Sequence, residues 1–176
     1  SGVVAVSCIR HGCFRARGMV NLFGGEQFPL VDLAMSGALE GTEELTEWLL
    51  TYDVGCQLLV NIEQRWHDWG LPEHLLAIIK ELQVLLPQLH MLAHQEHCQT
   101  EYAMCYKRGC GHTCGEMVEV NWAENNAVGL STREMNAGAR QDAICDHLNA
   151  QNWRKNVTRG LCPKINSSSA SLTLFL

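Results

Sequence analysis

"VAVSCIRHGCFRARGM", residues 4–19, decides how the chain is read. It continues the β-branched, apolar run GVVAVSCI over 2–9, which is too short for a stable helix and predicts a buried strand. The strand runs straight into Arg10-His11-Gly12. Two chemistries suit that junction. His11 could accept a phosphoryl group, or the three residues could simply turn the chain and cap the strand through local hydrogen bonds.

Composition narrows the field. A chain of 176 residues with 47% hydrophobic content can bury one core. A net charge of −6 excludes a global basic field, so any contact with nucleic acid has to rest on local sites or on parts outside these residues. Nine cysteines, at 8, 13, 56, 98, 105, 110, 114, 145 and 162, are odd in number and several lie in apolar or helical contexts. They read as reduced thiols of an intracellular protein, a few of them metal ligands, rather than as a disulfide scaffold. There is no basic-then-apolar leader, and no apolar run nears the roughly 20 residues of a membrane span, so no membrane partner is expected. The chain opens at Ser1 on the edge of a strand and reads as a piece of something longer.

The remaining elements follow from periodicity and punctuation. Residues 13–27 predict a turn or short hairpin, 28–39 a helix with Pro29 in its first turn, and 47–54 (EWLLTYDV) a second buried strand ending on Asp53. Helices are expected over 56–69 and 73–86, the second closed by Pro87. Residues 115–125 and 131–155 are expected to be helical, with an interruption at Gly129-Leu130. Residues 158–176, a serine run and an apolar end, predict an irregular, disordered tail. Two strands and a helix-rich second half indicate an α/β or α+β class.

Four groups of side chains carry possible chemistry. A phosphatase built on His11 needs converging partners such as Arg15, Arg17 and His94, but His90, His94 and Cys98 recur at helical spacing, not at a strand end. Asp53 in TYDVGCQ could hold a divalent cation through hard oxygen ligation or could cap the following helix. Glu116 and Glu119 in GEMVEVNWAENN are three apart and share a helix face with Trp122, whose burial would draw the carboxylates toward the core, where a metal ion is one suitable partner. His90, His94 and Cys98 at four-residue spacing could bind zinc, as could Cys105, Cys110, His112 and Cys114, although these lack a paired C-x2-C knuckle.

Arg-His-Gly after an apolar strand, YDVGCQ, LHMLAHQEHCQ, GEMVEVNWAENN, STREMNAGARQD and DHLNAQNW come in the order and spacing of a fungal transposase family. Over about residues 3–155 the chain resembles the Kyakuja–Dileera–Zisupton (KDZ) transposases. The resemblance implies an incomplete RNase H-like core over 1–157, with Arg-His-Gly following a core strand and no phosphohistidine. It implies DDE-type chemistry, in which three carboxylates hold two Mg²⁺ or Mn²⁺ ions for DNA strand cleavage and transfer. Asp53 would be the second carboxylate and Glu119 the third, with Glu116 its close competitor. The first aspartate is expected upstream of residue 1, and Val120 stands where the family usually has arginine. DNA as partner and the nucleus as location follow from the same resemblance. A domesticated, non-catalytic DNA or protein interaction module is the alternative, and a His11 phosphatase is the remoter one.

Overall fold

The computed structural model describes residues 2–107, 110, 113, 115–159 and 169–175. Strands β1 (Gly2–Cys8) and β2 (Phe14–Leu22) pair antiparallel around the Arg-His-Gly turn. Gly12 takes φ 62°, a left-handed conformation that favours glycine, and its N–H donates to the Cys8 carbonyl at 2.7 Å. Residues 13–27 therefore hold a nine-residue strand, longer than their glycine and arginine punctuation suggests. The punctuation marks a bulge instead: Ser7 pairs with Phe14 and Ala5 with Met19, so residues 15–18 stand out opposite Val6, with Arg17 at φ 59°.

That bulge seats helix α1 (Phe28–Leu39), whose bounds match the expectation. Arg15 donates from Nε to the Ala38 carbonyl at 3.0 Å and from Nη2 to the Glu40 carbonyl at 3.4 Å, meeting carbonyls that the helix end leaves open. Gly37 lies so close to the Arg17 carbonyl that a Cβ there would collide with it.

Strand β3 (Glu47–Thr51) is followed by helices α2 (Gly55–Leu58), α3 (Ile62–Asp68) and α4 (Glu73–Glu81), and by strand β4 (Gln83–Leu85). The single helix expected over 56–69 is broken at Asn61, which adopts φ 59°. The helix expected to reach residue 86 stops at Glu81, where Leu82 turns extended and β4 pairs parallel with β3 from Leu49↔Gln83 to Thr51↔Leu85. An apolar run such as VLL suits either state, and here a partner strand decides.

Helices α5 (Glu96–Glu101), α6 (Met117–Ser131) and α7 (Ala137–Arg159) complete a helix-rich second half, and the break between α6 and α7 falls at 132–136 rather than at Gly129-Leu130. The expected irregular tail contains a strand, β5 (Ser169–Phe175). It pairs antiparallel with β1 and parallel with β3, through Ala5↔Phe175 and Thr51↔Thr173. SASLTLF has no helical period, and its short apolar run is what a strand between two neighbours needs.

The sheet runs β2-β1-β5-β3-β4 and has helices on both faces, giving a mixed α/β fold. Val4, Val6, Leu50 and Val84 pack with α1, α3 and α4. On the other face Ala5 and Phe14 meet Ile144 and Leu148 of α7, with Trp122 of α6 beside them. Asn152 of α7 brackets Phe14, accepting its N–H at 2.8 Å and donating to its carbonyl at 2.9 Å. Among the described residues no helix is long and apolar enough to cross a membrane.

A buried ion pair ties the first face together. Asp32 of α1 is fully buried and accepts from Arg65 Nε at 2.6 Å and Nη2 at 3.1 Å. The same guanidinium donates to the Leu58 and Val60 carbonyls between α2 and α3. Arg65→Ala strands a buried carboxylate and is expected to lower the unfolding free energy by about 3 kcal/mol, read from the urea midpoint at constant slope. Glu44→Ala, an exposed control, is expected to stay within about 0.5 kcal/mol.

A candidate metal centre beyond the third strand

Two residues past β3, Asp53 accepts the Val54 N–H at 2.7 Å. It is not the helix cap that the sequence also allows, since Val54 caps α2 with no side-chain bond. Gly55 keeps α2 against β4, where a Cβ would strike Val84 Cγ1. Tyr52 is buried and its hydroxyl donates to the Glu26 carboxylate on the β2–α1 connection. Desolvation, and then the Asp53 charge, push the Glu26 carboxyl above its usual range. Glu26 is thus a second acid beside Asp53, and nothing in its sequence surroundings marks it.

The two glutamates of GEMVE part company. Glu116 immediately precedes α6 and is buried, and its Oε1 accepts the Leu89 N–H at 2.7 Å. Its Oε2 is buried with no hydrogen-bond partner among the described residues. Glu119 is exposed, with Oε1 3.6 Å from His90 Nε2. Trp122 packs half-buried against the second core, with Asn121 fully buried beside it, yet Glu119 stays exposed. Ligand atoms of His90, Glu116 and Glu119 lie within 4.8 Å of one another and could hold a cation. Asp53 is not part of that group, but it lines a cleft of about 620 Å³ together with His90.

The same cleft gathers Cys56, His94 and Cys98. Their ligand atoms also lie within 4.8 Å of one another, with Cys56 Sγ 3.7 Å from His94 Nδ1. Of the three residues expected from their four-residue spacing, the structure joins His94 and Cys98 and sends His90 to the glutamates. The spacing is not helical there: a 3-10 turn spans Met91–Ala93, His94 is extended, and α5 starts only at Glu96. Cys56 takes the third place, and its only signal is its position three residues after Asp53. Desolvation and the hydrogen bond with Cys56 raise the Cys98 thiol.

His11 stands away from this region in its environment. Its Nδ1 is 3.4 Å from Cys8 Sγ, while Arg15 is engaged with the end of α1 and His94 with Cys56. The turn is held through its glycine. The Gly12 carbonyl accepts from Asn121 Nδ2 at 3.2 Å and from Lys155 Nζ at 3.0 Å, and Lys155 also donates to Asn121 Oδ1 at 2.6 Å. The seven described cysteines are free of disulfides. Cys105 is exposed and Cys110 packs with Ile9, Leu49, Leu85 and Met104, whereas His112 and Cys114 lie outside the described residues.

Asn121 is fully buried and also donates to Ser7 Oγ at 3.2 Å. Asn121→Ala leaves Ser7, Gly12 and Lys155 short of a buried partner, so a loss of about 2 kcal/mol is expected on urea unfolding.

No curated protein and no solved structure matches the chain. Residues 1–152 match the sequence model of the KDZ family, described as Kyakuja-Dileera-Zisupton transposase. With that match spanning most of its length, and with acids and histidines gathered beyond β3, the chain belongs to the KDZ transposase family.

Proposed function

We propose that this chain supplies the second and third carboxylates of a DDE-type site that cleaves and joins DNA strands, carried on an RNase H-like core and acting in the nucleus. The observation that carries the reading is the buried Oε2 of Glu116, without a hydrogen-bond partner among the described residues, beside Glu119 and His90. A desolvated carboxylate oxygen without a donor needs a cation or another donor to offset its burial. Asp53 faces the neighbouring cleft, and His90 belongs to both places.

The carboxylate oxygens of Glu116 and Glu119 are hard donors that suit Mg²⁺ or Mn²⁺, with the His90 imidazole beside them. Such ions, when bound, sharpen a water or a 3′-hydroxyl as nucleophile and stabilise the leaving oxygen. The chain's own part is placement. The Val54 N–H fixes Asp53, the Leu89 N–H fixes one oxygen of Glu116, and the Asn121–Lys155 contacts hold α6 against the β1–β2 turn. The buried position makes Glu116 the better third carboxylate, with exposed Glu119 beside it. Strands β1, β2 and β5 carry no acidic residue, so none of them supplies the first aspartate of such a site. Val120, half-exposed on α6, offers no cation where the family's arginine would meet a carboxylate or a DNA phosphate.

With Mn²⁺ at about 100 times its dissociation constant, the chain is expected to gain about 2.7 kcal/mol. The matching rise in melting temperature should vanish in Asp53→Ala and Glu116→Ala and shrink in Glu119→Ala. A rise that survives all three substitutions, or none in the parent chain, overturns the reading.

The chain alone is expected to leave a DNA duplex intact with either ion, because β1, β2 and β5 offer no acid for the first position. Cleavage or joining by the purified chain would refute that expectation. Salt-sensitive DNA retardation with no metal-dependent shift would favour a non-catalytic binding module.

A further inference from the structure

We propose that Cys56, His94 and Cys98 form a zinc site, distinct from the carboxylates, that staples residues 88–102 to the helix next to Asp53. The inference does not rest on the DDE reading.

The separation of two of the ligand atoms fits a shared zinc ion. Zinc bonds of about 2.3 Å to sulfur and 2.0–2.1 Å to nitrogen, set at a tetrahedral angle, place the two ligand atoms about 3.6 Å apart. Cys56 Sγ and His94 Nδ1 are 3.7 Å apart. Cys98 Sγ completes a set mutually within 4.8 Å. Two thiolates and an imidazole are soft to borderline donors that select zinc over Mg²⁺ or Mn²⁺. Three protein ligands leave the fourth position to a water from the cleft.

A second observation is how few anchors the segment has among the described residues: Leu89 N–H donates to Glu116 at 2.7 Å and His90 lies 3.6 Å from Glu119. Residues 88–102 leave the fold and return to it through a clamp at their base, where Leu86 N–H donates to the Tyr102 carbonyl at 2.9 Å and Leu86 bridges to Ala103. Within that excursion Cys98 is the single buried side chain, while Leu89 and Leu92 are exposed. A segment with so little apolar burial has few contacts with which to offset the entropy of its ordering, and a metal supplies that where a core cannot. Cys98 Sγ, on the one buried side chain, lies 3.3 Å from His97 Nε2 and within 4.8 Å of the Cys56 thiol and the His94 ring, which is where such a metal would bind.

The staple reaches the cleft that Asp53 lines. Cys56 lies in α2, and His94 and Cys98 lie on the excursion that also carries His90. Zinc would thus fix the distance between the strand end and the histidine that meets Glu119.

The test uses the whole chain, purified under reducing conditions, loaded with Zn²⁺ and dialysed. Elemental analysis is expected to find one zinc per chain. Co²⁺ in place of Zn²⁺ is expected to give the intense thiolate-to-metal absorption of a two-sulfur site, a readout that requires no substitution. Cys56→Ser, Cys98→Ser and His94→Ala should each weaken zinc binding by more than the ~10–100-fold that loss of an outer-shell partner costs. Cys105→Ser, exposed and outside the set, should bind as the parent does. No retained zinc, a cobalt spectrum without thiolate bands, or zinc binding lost in Glu116→Ala but kept in Cys56→Ser would overturn the proposal. A Cys56–Cys98 disulfide persisting under reduction would overturn it as well.

Discussion

The fold turns on one buried charge. Asp32 sits in the first helix with no solvent exposure, and a carboxylate there is tenable only because Arg65 reaches it with two donors. The remaining donors of the same guanidinium hold the Leu58 and Val60 carbonyls. A four-residue helix has little stability of its own. The clamp therefore lets α2 start directly after Asp53 and keep Cys56 where it is. Remove the ion pair, and the short helix that carries Cys56 loses the clamp at its end.

The region beyond β3 combines two ligand chemistries that seldom compete. Glu116, Glu119 and Asp53 offer hard oxygens, while Cys56, His94 and Cys98 offer soft donors. His90 stands between them, lining the cleft with the second set and approaching Glu119 of the first. Of the two sets, Cys56, His94, Cys98 and Asp53 line the cleft, and Glu116 and Glu119 lie next to it through His90.

Much of this was legible in the sequence, and the gaps share a cause. The first strand and α1 to the residue follow from apolar runs, Pro29 and chain punctuation, which are local signals. Strand β3 stops at Thr51, two residues short of the Asp53 on which the apolar run suggested it ends. What escaped depends on distant partners. Residues 83–85 are a strand only because β3 lies alongside, and residues 169–175 only because β1 and β3 flank them. Trp122 packs on the core and Glu116 is buried, as their shared face implies, but Glu119 is exposed and the fully buried Asn121, which meets Lys155 and Gly12, carries no apolar signal. The histidine spacing implied one face of a helix that the extended His94 interrupts. Family resemblance supplied the carboxylates but not Cys56, since a thiol three residues past an acid has no pattern until the chain folds back on it.

The Arg-His-Gly turn shows how a motif can be informative without being chemical. Its glycine, not its histidine, makes the decisive contacts. A Cβ at Gly12 would press on Met117, Asn121 and Lys155 at 2.9–3.2 Å in a backbone conformation that already disfavours side chains. Two donors converge on the Gly12 carbonyl, one from each long helix of the second half. The turn is therefore the point at which α6 and α7 are registered against the sheet. Since Glu116 opens α6, the position of its buried Oε2 is set in part by a glycine more than a hundred residues earlier. A reading that begins with the nucleophilicity of His11 looks at the wrong atom of the motif. The feature that matters is a backbone carbonyl, exposed by a left-handed turn and held by an asparagine and a lysine.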